Sequence, residues 1–198
     1  MRQLKNKLLS LLVIAAVLLS LVSCGKEAIT FDEIKEVLPT LVENSYILNE
    51  IYFGSGFYPL PDASLNDVSG YYYADCTKCS LYSVADIKAA TEKVFTKEYS
   101  EILYEGAFES KIGDSGTVLP KYIDGNLGLM QSMSADIYHL EKREYFYDTL
   151  NIVRTEDDRV TISLECAECG KKSRFELILV RIENMDGTYS YRLDSPTY

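Results

Sequence analysis

The sequence has little of several residue types on which common enzymatic and nucleic-acid-binding sites depend. Its 198 residues include no tryptophan and one histidine, and 30 acidic residues outnumber 20 lysines and arginines. A single imidazole argues against most histidine-based catalysis, and a formal charge of −10 repels phosphate and argues against nucleic-acid binding. No Gly-rich phosphate loop, HExxH or GxSxG motif is present. We therefore expect a protein that is not an enzyme.

The residues that are abundant indicate a folded chain of ordinary size. Apolar residues make up 47% of the sequence, and 16 of its residues are tyrosine. This content is too high for a disordered chain, because it suffices to bury a core. The length permits one domain or at most two small ones.

The first 22 residues have the layout of an export signal. Residues 1–7 carry three basic side chains and no acid, and thirteen of the fifteen residues at 8–22 are apolar. A helix of fifteen residues spans about 22 Å, which is short of the roughly 30 Å hydrocarbon core of a bilayer. We expect a cleaved signal, with a short membrane anchor as the alternative.

A four-residue motif follows this apolar stretch directly. Leu21-Val22-Ser23-Cys24 resembles the lipobox of bacterial lipoproteins, in which the cysteine receives a diacylglyceryl group and a signal peptidase cuts before it. The resemblance implies that residues 1–23 are a signal peptide and that Cys24 is lipidated. It also implies a protein held by lipid at the extracytoplasmic face of the cell membrane, since two or three acyl chains give a stable anchor.

The remainder of the chain is predicted to be one domain close to the bilayer. Thr30 and Glu33 fit a capping box, so residues 24–29 form a short tether and residues 30–198 a single domain. Loss of the three basic residues of the signal changes the formal charge from −10 to −13. Such a body does not adsorb to anionic lipid by charge, so the acyl chains alone would hold it at the membrane.

The front half of this domain has helical periodicity. Ser83 and Thr96 are the expected N-caps of two helices, and Gly106 is the expected end of the second. Pro39 would kink or split an earlier helix. The predicted helices cover residues 31–52, 84–95 and 97–105.

The back half has strand periodicity and determines the predicted fold class. Val160, Ile162 and Leu164 alternate with polar residues, and three or four such strands in succession predict an antiparallel meander. We expect an α+β domain with its N-terminal helices packed on a curved antiparallel sheet formed mainly by the C-terminal half. Residues 106–120 and 165–172 are predicted loops. The predicted strands cover residues 70–75, 121–123, 127–129, 145–154, 160–164, 175–182 and 189–193.

Four further cysteines form two CxxC pairs, Cys76-Thr-Lys-Cys79 and Cys166-Ala-Glu-Cys169. A glycine follows the second pair, which resembles a zinc knuckle at the tip of a predicted hairpin. Four thiolates would complete a closed, tetrahedral structural zinc site. The two pairs are farther apart than the roughly 15–20 residues usual for a zinc ribbon.

The export signal favours a different interpretation of the same cysteines. Paired cysteines outside the cytoplasm normally form disulfides, and cross-links between the two pairs would stabilise the fold by about 4–5 kcal/mol. A redox-active CxxC should open a helix after a strand, and neither pair is predicted to do so. We expect a structural role for the cysteines, as disulfides or as one zinc site, and no other cofactor.

Other candidate residues carry weaker signals. His139 has no serine or cysteine partner marked by a motif, so we expect a surface or core residue. The acidic residues of the helices lack a paired-carboxylate spacing, and the tyrosines would line a groove or replace tryptophan in the core. These acids are Asp32, Glu33, Glu36, Glu98, Glu101, Glu105 and Glu109, and these tyrosines are Tyr71, Tyr72, Tyr73, Tyr99, Tyr104, Tyr145, Tyr147, Tyr189 and Tyr191.

Two stretches, Asp86–Leu103 and Tyr191–Tyr198, resemble the cell-wall DL-endopeptidase inhibitor family of Gram-positive bacteria. The resemblance implies a non-enzymatic acidic protein that binds and restrains a cell-wall hydrolase, and a basic partner would be steered by its negative charge. The alternative is a lipoprotein of NTF2-like or cystatin-like shape that binds a small ligand. A deep apolar pocket would favour that alternative, and a flat or grooved acidic surface would favour the inhibitor.

Overall fold

The computed structural model describes residues 28–62, 67–113, 116–135, 140 and 142–198. Residues Phe31–Tyr198 form one compact unit, and of the preceding unit, Met1–Thr30, only residues 28–30 are described. The predictions for Cys24 and His139 therefore lie outside the described residues. Within the described part of the chain, every helix is too short or too polar to cross a membrane.

Three α-helices form where capping residues and apolar periodicity predict them. The Oγ of Ser83 accepts a hydrogen bond from the Asp86 N–H at 3.1 Å, and Thr96 Oγ1 accepts one from the Tyr99 N–H at 3.2 Å. Each hydroxyl satisfies a backbone donor that the first turn of a helix leaves without an intrahelical partner. The helices are α1 (Phe31–Tyr52), α2 (Val84–Val94) and α3 (Lys97–Phe108).

One of the two alternatives for Pro39 and the predicted end of α3 at Gly106 are wrong. α1 runs through Pro39 without a break, so the helix is not split. α3 continues past Gly106 to Phe108, and its residues Leu103 and Ala107 are buried. Burial of that apolar face outweighs the roughly 1 kcal/mol that glycine costs inside a helix.

The described strands form three antiparallel sheets: β1–β5–β4, β2–β3 and β6–β7–β8–β9. Two of them belong to the front of the chain and the four-stranded one to its C-terminal end. The strands are β1 (Tyr71–Tyr73), β2 (Lys111–Gly113), β3 (Gly116–Val118), β4 (Tyr122–Gly125), β5 (Gly128–Ser132), β6 (Glu144–Glu156), β7 (Arg159–Glu168), β8 (Lys171–Glu183) and β9 (Tyr189–Leu193).

The four-stranded sheet confirms the predicted meander. Its strands pair in chain order, and Val160, Ile162 and Leu164 of β7 have no exposed surface. These side chains lie on one face because successive residues of a strand alternate between its faces. With three helices and antiparallel sheets, the chain is an α+β protein.

Both predicted loops are wrong in part. The stretch predicted as a loop at 165–172 is mostly strand, because β7 extends to Glu168 and β8 begins at Lys171. Cys169 and Gly170 alone make the turn, with φ of 50° and 73°, as in the two-residue turns that match the twist of a hairpin. The other predicted loop, 106–120, contains the short β2–β3 hairpin.

Candidate functional site

A cavity of about 580 Å³ opens at the C-terminal end of α1. Most of its lining is aromatic or aliphatic, and a lysine and two serines add polar atoms. The described lining residues are Tyr52, Phe53, Gly106, Val118, Leu119, Lys121, Ser132, Ser134, Ala135, Leu140 and Tyr198.

Aromatic packing forms one wall of this cavity. The rings of Phe53 and Tyr198 lie 4.3 Å apart between centroids, and the rings of Tyr52 and Phe108 meet edge to face at 6.1 Å. The Tyr52 hydroxyl is also hydrogen-bonded to Thr91 Oγ1 at 2.8 Å. Residues from α1, α2, α3 and the C-terminal segment therefore hold the wall in place.

The chain that leaves α1 is clamped by two buried side chains. Gln131 Oε1 accepts a hydrogen bond from the Phe57 N–H at 2.7 Å, and its Nε2 donates to the Ser55 carbonyl at 2.8 Å. The Tyr122 hydroxyl donates to the Ile51 carbonyl at 2.8 Å. The bond to Ile51 satisfies a carbonyl that the end of the helix leaves open, and the two bonds of Gln131 satisfy backbone groups of the segment that follows.

Glycine is required within this clamped segment. Gly56 has φ of 70°, and a Cβ there would lie 2.3 Å from Tyr122 Oη and 2.4 Å from Gln131 Oε1. A side chain at position 56 would therefore combine backbone strain with a collision against the clamp.

Lys121 places a positive charge at the edge of the cavity. Its ammonium group donates to the Gly54 carbonyl at 2.9 Å and lies 3.5 Å from the Tyr52 carbonyl oxygen. Burial lowers the pKa of Lys121 to about 8, and the nearby Glu50 carboxylate partly opposes this shift. Lys121 is the charged side chain among the described lining residues.

The remaining polar groups among the described lining residues are neutral. The hydroxyls of Ser132 and Ser134 are hydrogen-bonded to each other at 3.0 Å. Burial raises the pKa of both Tyr52 and Tyr198, so both phenols stay protonated at neutral pH. The described lining thus offers apolar area, hydroxyl groups and one ammonium group.

A second cavity of about 260 Å³ adjoins the first, because Leu140 and Tyr198 line both. Its lining includes Glu50, Lys142 and Arg143. The Arg143 guanidinium lies 4.2 Å above the Phe175 ring and donates to Glu168 at 2.9 Å.

The first cysteine pair lies in a single turn after β1. The N–H groups of Cys79 and Ser80 both donate to the Cys76 carbonyl, at 3.2 and 2.9 Å. Burial raises the pKa of the Cys76 thiol to about 12, so this thiol is a poor nucleophile at neutral pH.

The second cysteine pair lies at the tip of the β7–β8 hairpin. Cys166 is buried, and its Sγ lies 3.3 Å from Ser173 Oγ on the neighbouring strand. Cys169 is exposed in the turn. None of the four described cysteines forms a disulfide here, and the described residues include no group of three or more His, Cys, Asp or Glu arranged to hold a metal ion. As placed, the thiols do not assemble a zinc shell, and their role as zinc ligands or disulfides stays a prediction.

Four of the nine predicted tyrosines have the predicted core role. Tyr71, Tyr73, Tyr145 and Tyr191 are buried in the core. The tyrosines that line the cavity, Tyr52 and Tyr198, were not among the predicted groove residues. Lys121 was also missed, because its neighbours Pro120 and Tyr122 carry no sequence signal for a half-buried charge.

The fold and the cavity define an α+β protein with an open, largely apolar cavity that carries an ammonium group. Comparison with known protein families and with curated proteins finds no match to this chain.

Proposed function

We propose that this protein is a lipid-anchored, extracytoplasmic, non-enzymatic binding protein whose ligand occupies the cavity at the end of α1. The cavity carries the proposal. Its volume of about 580 Å³ falls within the range of roughly 300–1,000 Å³ typical of small-molecule sites. Its few polar groups among apolar walls also match such sites. This favours the small-ligand-binding alternative of the sequence analysis.

We also propose that the helices cover one face of a curved sheet, as they do in NTF2-like or cystatin-like domains. Two contacts support it. Phe95, which follows α2, forms a bridge with Leu193 of β9, and Ser45 of α1 is hydrogen-bonded to Thr197 at 2.6 Å.

Restraint of a basic cell-wall hydrolase is the second candidate function, and one surface favours it. α3 exposes 65% of Ile102, the exposed Glu98 and Glu105 lie beside it at helical spacing, and the exposed Glu101 precedes it in the chain. An apolar residue flanked by carboxylates suits a basic partner. Ile102 and these three glutamates are not among the described residues that line the cavity, so substitutions at Ile102 test the second candidate separately from the first.

The anchor is tested by replacing Cys24 with alanine. Without the thiol no diacylglyceryl group can be attached, so we expect the variant to lose incorporation of labelled fatty acid. The measurement is fatty-acid labelling of the full chain in cells, with Cys169→Ala as the matched cysteine control. Equal labelling of wild type and the Cys24→Ala variant would contradict lipidation at this residue.

Ligand binding is tested with the neutral fluorescent probe N-phenyl-1-naphthylamine. The protein to use is the processed form (residues 24–198) carrying Cys24→Ser. Since the chain has no tryptophan, the probe can be read with little protein background. We expect saturable, one-to-one binding that Gly106→Leu weakens at least about tenfold, because Gly106 lines the cavity and a Cβ there meets open space.

The control for this variant is the neighbouring exposed residue. Glu105→Leu adds the same side chain to α3 outside the described cavity lining, so it should leave probe affinity within about twofold. Both variants should keep the far-ultraviolet circular dichroism of wild type, because leucine is a good helix former. Absence of saturable binding to wild type, or equal loss in both variants, would overturn the cavity as the binding site.

A further inference from the structure

We propose that the ligand of this cavity is an amphipathic anion, with an apolar body against the aromatic wall and an oxyanion head group bound by Lys121. This inference rests on the proposed function and deepens it by naming the class of ligand. It is carried by the position of one ammonium group among described lining residues that are otherwise uncharged.

The charge of the cavity is opposite to that of the chain. Acidic residues outnumber lysine and arginine by 30 to 20 in the sequence, yet the charged side chain among the described lining residues is Lys121. A positive charge in an apolar cavity on an acidic protein is complementary to an anion. It is poorly suited to a cation.

The ammonium group of Lys121 is held in position by backbone carbonyls and keeps one N–H donor for a ligand. It donates to the Gly54 carbonyl at 2.9 Å, and the Tyr52 carbonyl lies 3.5 Å away. An ammonium group has three donors, so one hydrogen is left for a ligand. The Ser132–Ser134 hydroxyl pair also lines the cavity, and since one hydroxyl donates to the other, the second keeps its hydrogen for an oxyanion.

The apolar part of the lining leaves surface for a ligand to cover. Val118 and Leu119 are 57% and 51% exposed, although both line the cavity together with Phe53. The second cavity continues beyond Leu140 and Tyr198. The first cavity therefore provides room for an apolar body next to Lys121, and the second extends that room toward Glu50, Lys142 and Arg143.

The titration of Lys121 makes this inference testable by pH. Its pKa is lowered to about 8 by burial, while Glu50 raises it, and the lining phenols Tyr52 and Tyr198 stay neutral because their pKa values are raised. A bound oxyanion favours the charged lysine, so it raises the pKa of Lys121 and opposes the effect of burial. Affinity for an anion should therefore be full below pH 7 and should fall as the pH rises through 8, whereas affinity for a neutral ligand should not change.

The experiment compares two probes that share an aromatic body. 8-Anilinonaphthalene-1-sulfonate carries a sulfonate, and N-phenyl-1-naphthylamine is its neutral analogue. With the processed protein, we expect Lys121→Met to lower the affinity for the anionic probe at least about tenfold. The affinity for the neutral probe should fall less than about threefold. Lys121→Arg keeps a positive charge and should keep most of the anionic probe's affinity while removing its dependence on pH between 7 and 9, since arginine stays charged.

The outcomes separate this inference from the proposed function. If the neutral probe binds saturably and Lys121→Met lowers the affinity for the anionic probe, the binding function and the anion inference are both supported. If both probes bind with equal affinity and Lys121→Met weakens neither selectively, the anion inference fails and the binding function stands. If neither probe binds to wild type, the binding function itself fails. If Lys121 only holds the end of α1 in place, Lys121→Met will lower thermal stability but will not change the discrimination between the two probes.

Discussion

Replacement of Ile162 by alanine is expected to lower the free energy of unfolding by about 2–5 kcal/mol. Ile162 has no exposed surface and lies in the central strand β7, opposite Ile152 of β6 and Leu177 of β8. Removal of three carbons there leaves a cavity that close-packed neighbours fill only partly. Urea denaturation followed by circular dichroism measures the loss.

The matched control is the same substitution at a partly exposed position of the same sheet. Ile182 of β8 is 39% exposed, so we expect Ile182→Ala to cost less than about 1 kcal/mol, because little apolar area returns to water. If the two variants lose equal stability, burial on β7 is not what stabilises the sheet.

Replacement of Thr197 by valine is expected to cost about 2–3 kcal/mol, because it breaks a buried chain of hydrogen bonds. Asn49 Nδ2 donates to Thr197 Oγ1 at 2.8 Å. Thr197 Oγ1 lies 2.6 Å from Ser45 Oγ, which itself donates to the Val42 carbonyl at 2.7 Å. Because Ser45 uses its own hydrogen on that carbonyl, Thr197 is the donor to Ser45. Valine has the same shape and leaves the Asn49 amide buried without this acceptor.

Thr197→Ser separates the hydroxyl from the methyl group. It keeps the hydrogen bonds and loses one buried methyl, which costs about 1 kcal/mol. Chemical denaturation of the three proteins should therefore rank wild type, serine and valine in falling stability. A valine variant as stable as the serine variant would contradict the role of the network. Since Tyr198 follows in the chain and lines both cavities, the valine variant should also bind the neutral probe more weakly.

The elements of the fold were largely predictable because their signals are local. Ser83 and Thr96 cap helices through bonds to residues three positions later, and Val160, Ile162 and Leu164 alternate as a half-buried strand must. The errors arose where a tertiary contact opposed a local preference. Gly106 did not end α3, and the segment around Cys166 joined a strand because β8 pairs with it.

The candidate site was not predictable in the same way. Lys121 is one lysine among many in the sequence, and only the approach of the Gly54 carbonyl and the walls around it make its charge unusual. The aromatic wall joins Tyr52 and Phe53 to Tyr198, which is more than 140 positions away in the chain. No spacing or motif records such a contact.

The sequence by itself determined the class of the fold, the acidic charge and the starts of the helices, because composition, capping and periodicity act over a few residues. It also carries the lipobox resemblance at Cys24, which lies outside the described residues. Only the tertiary structure decided where an apolar cavity opens and that Lys121 stands at its edge. Burial and complementary charge depend on residues distant in the chain, and their environment exists only once the chain is folded.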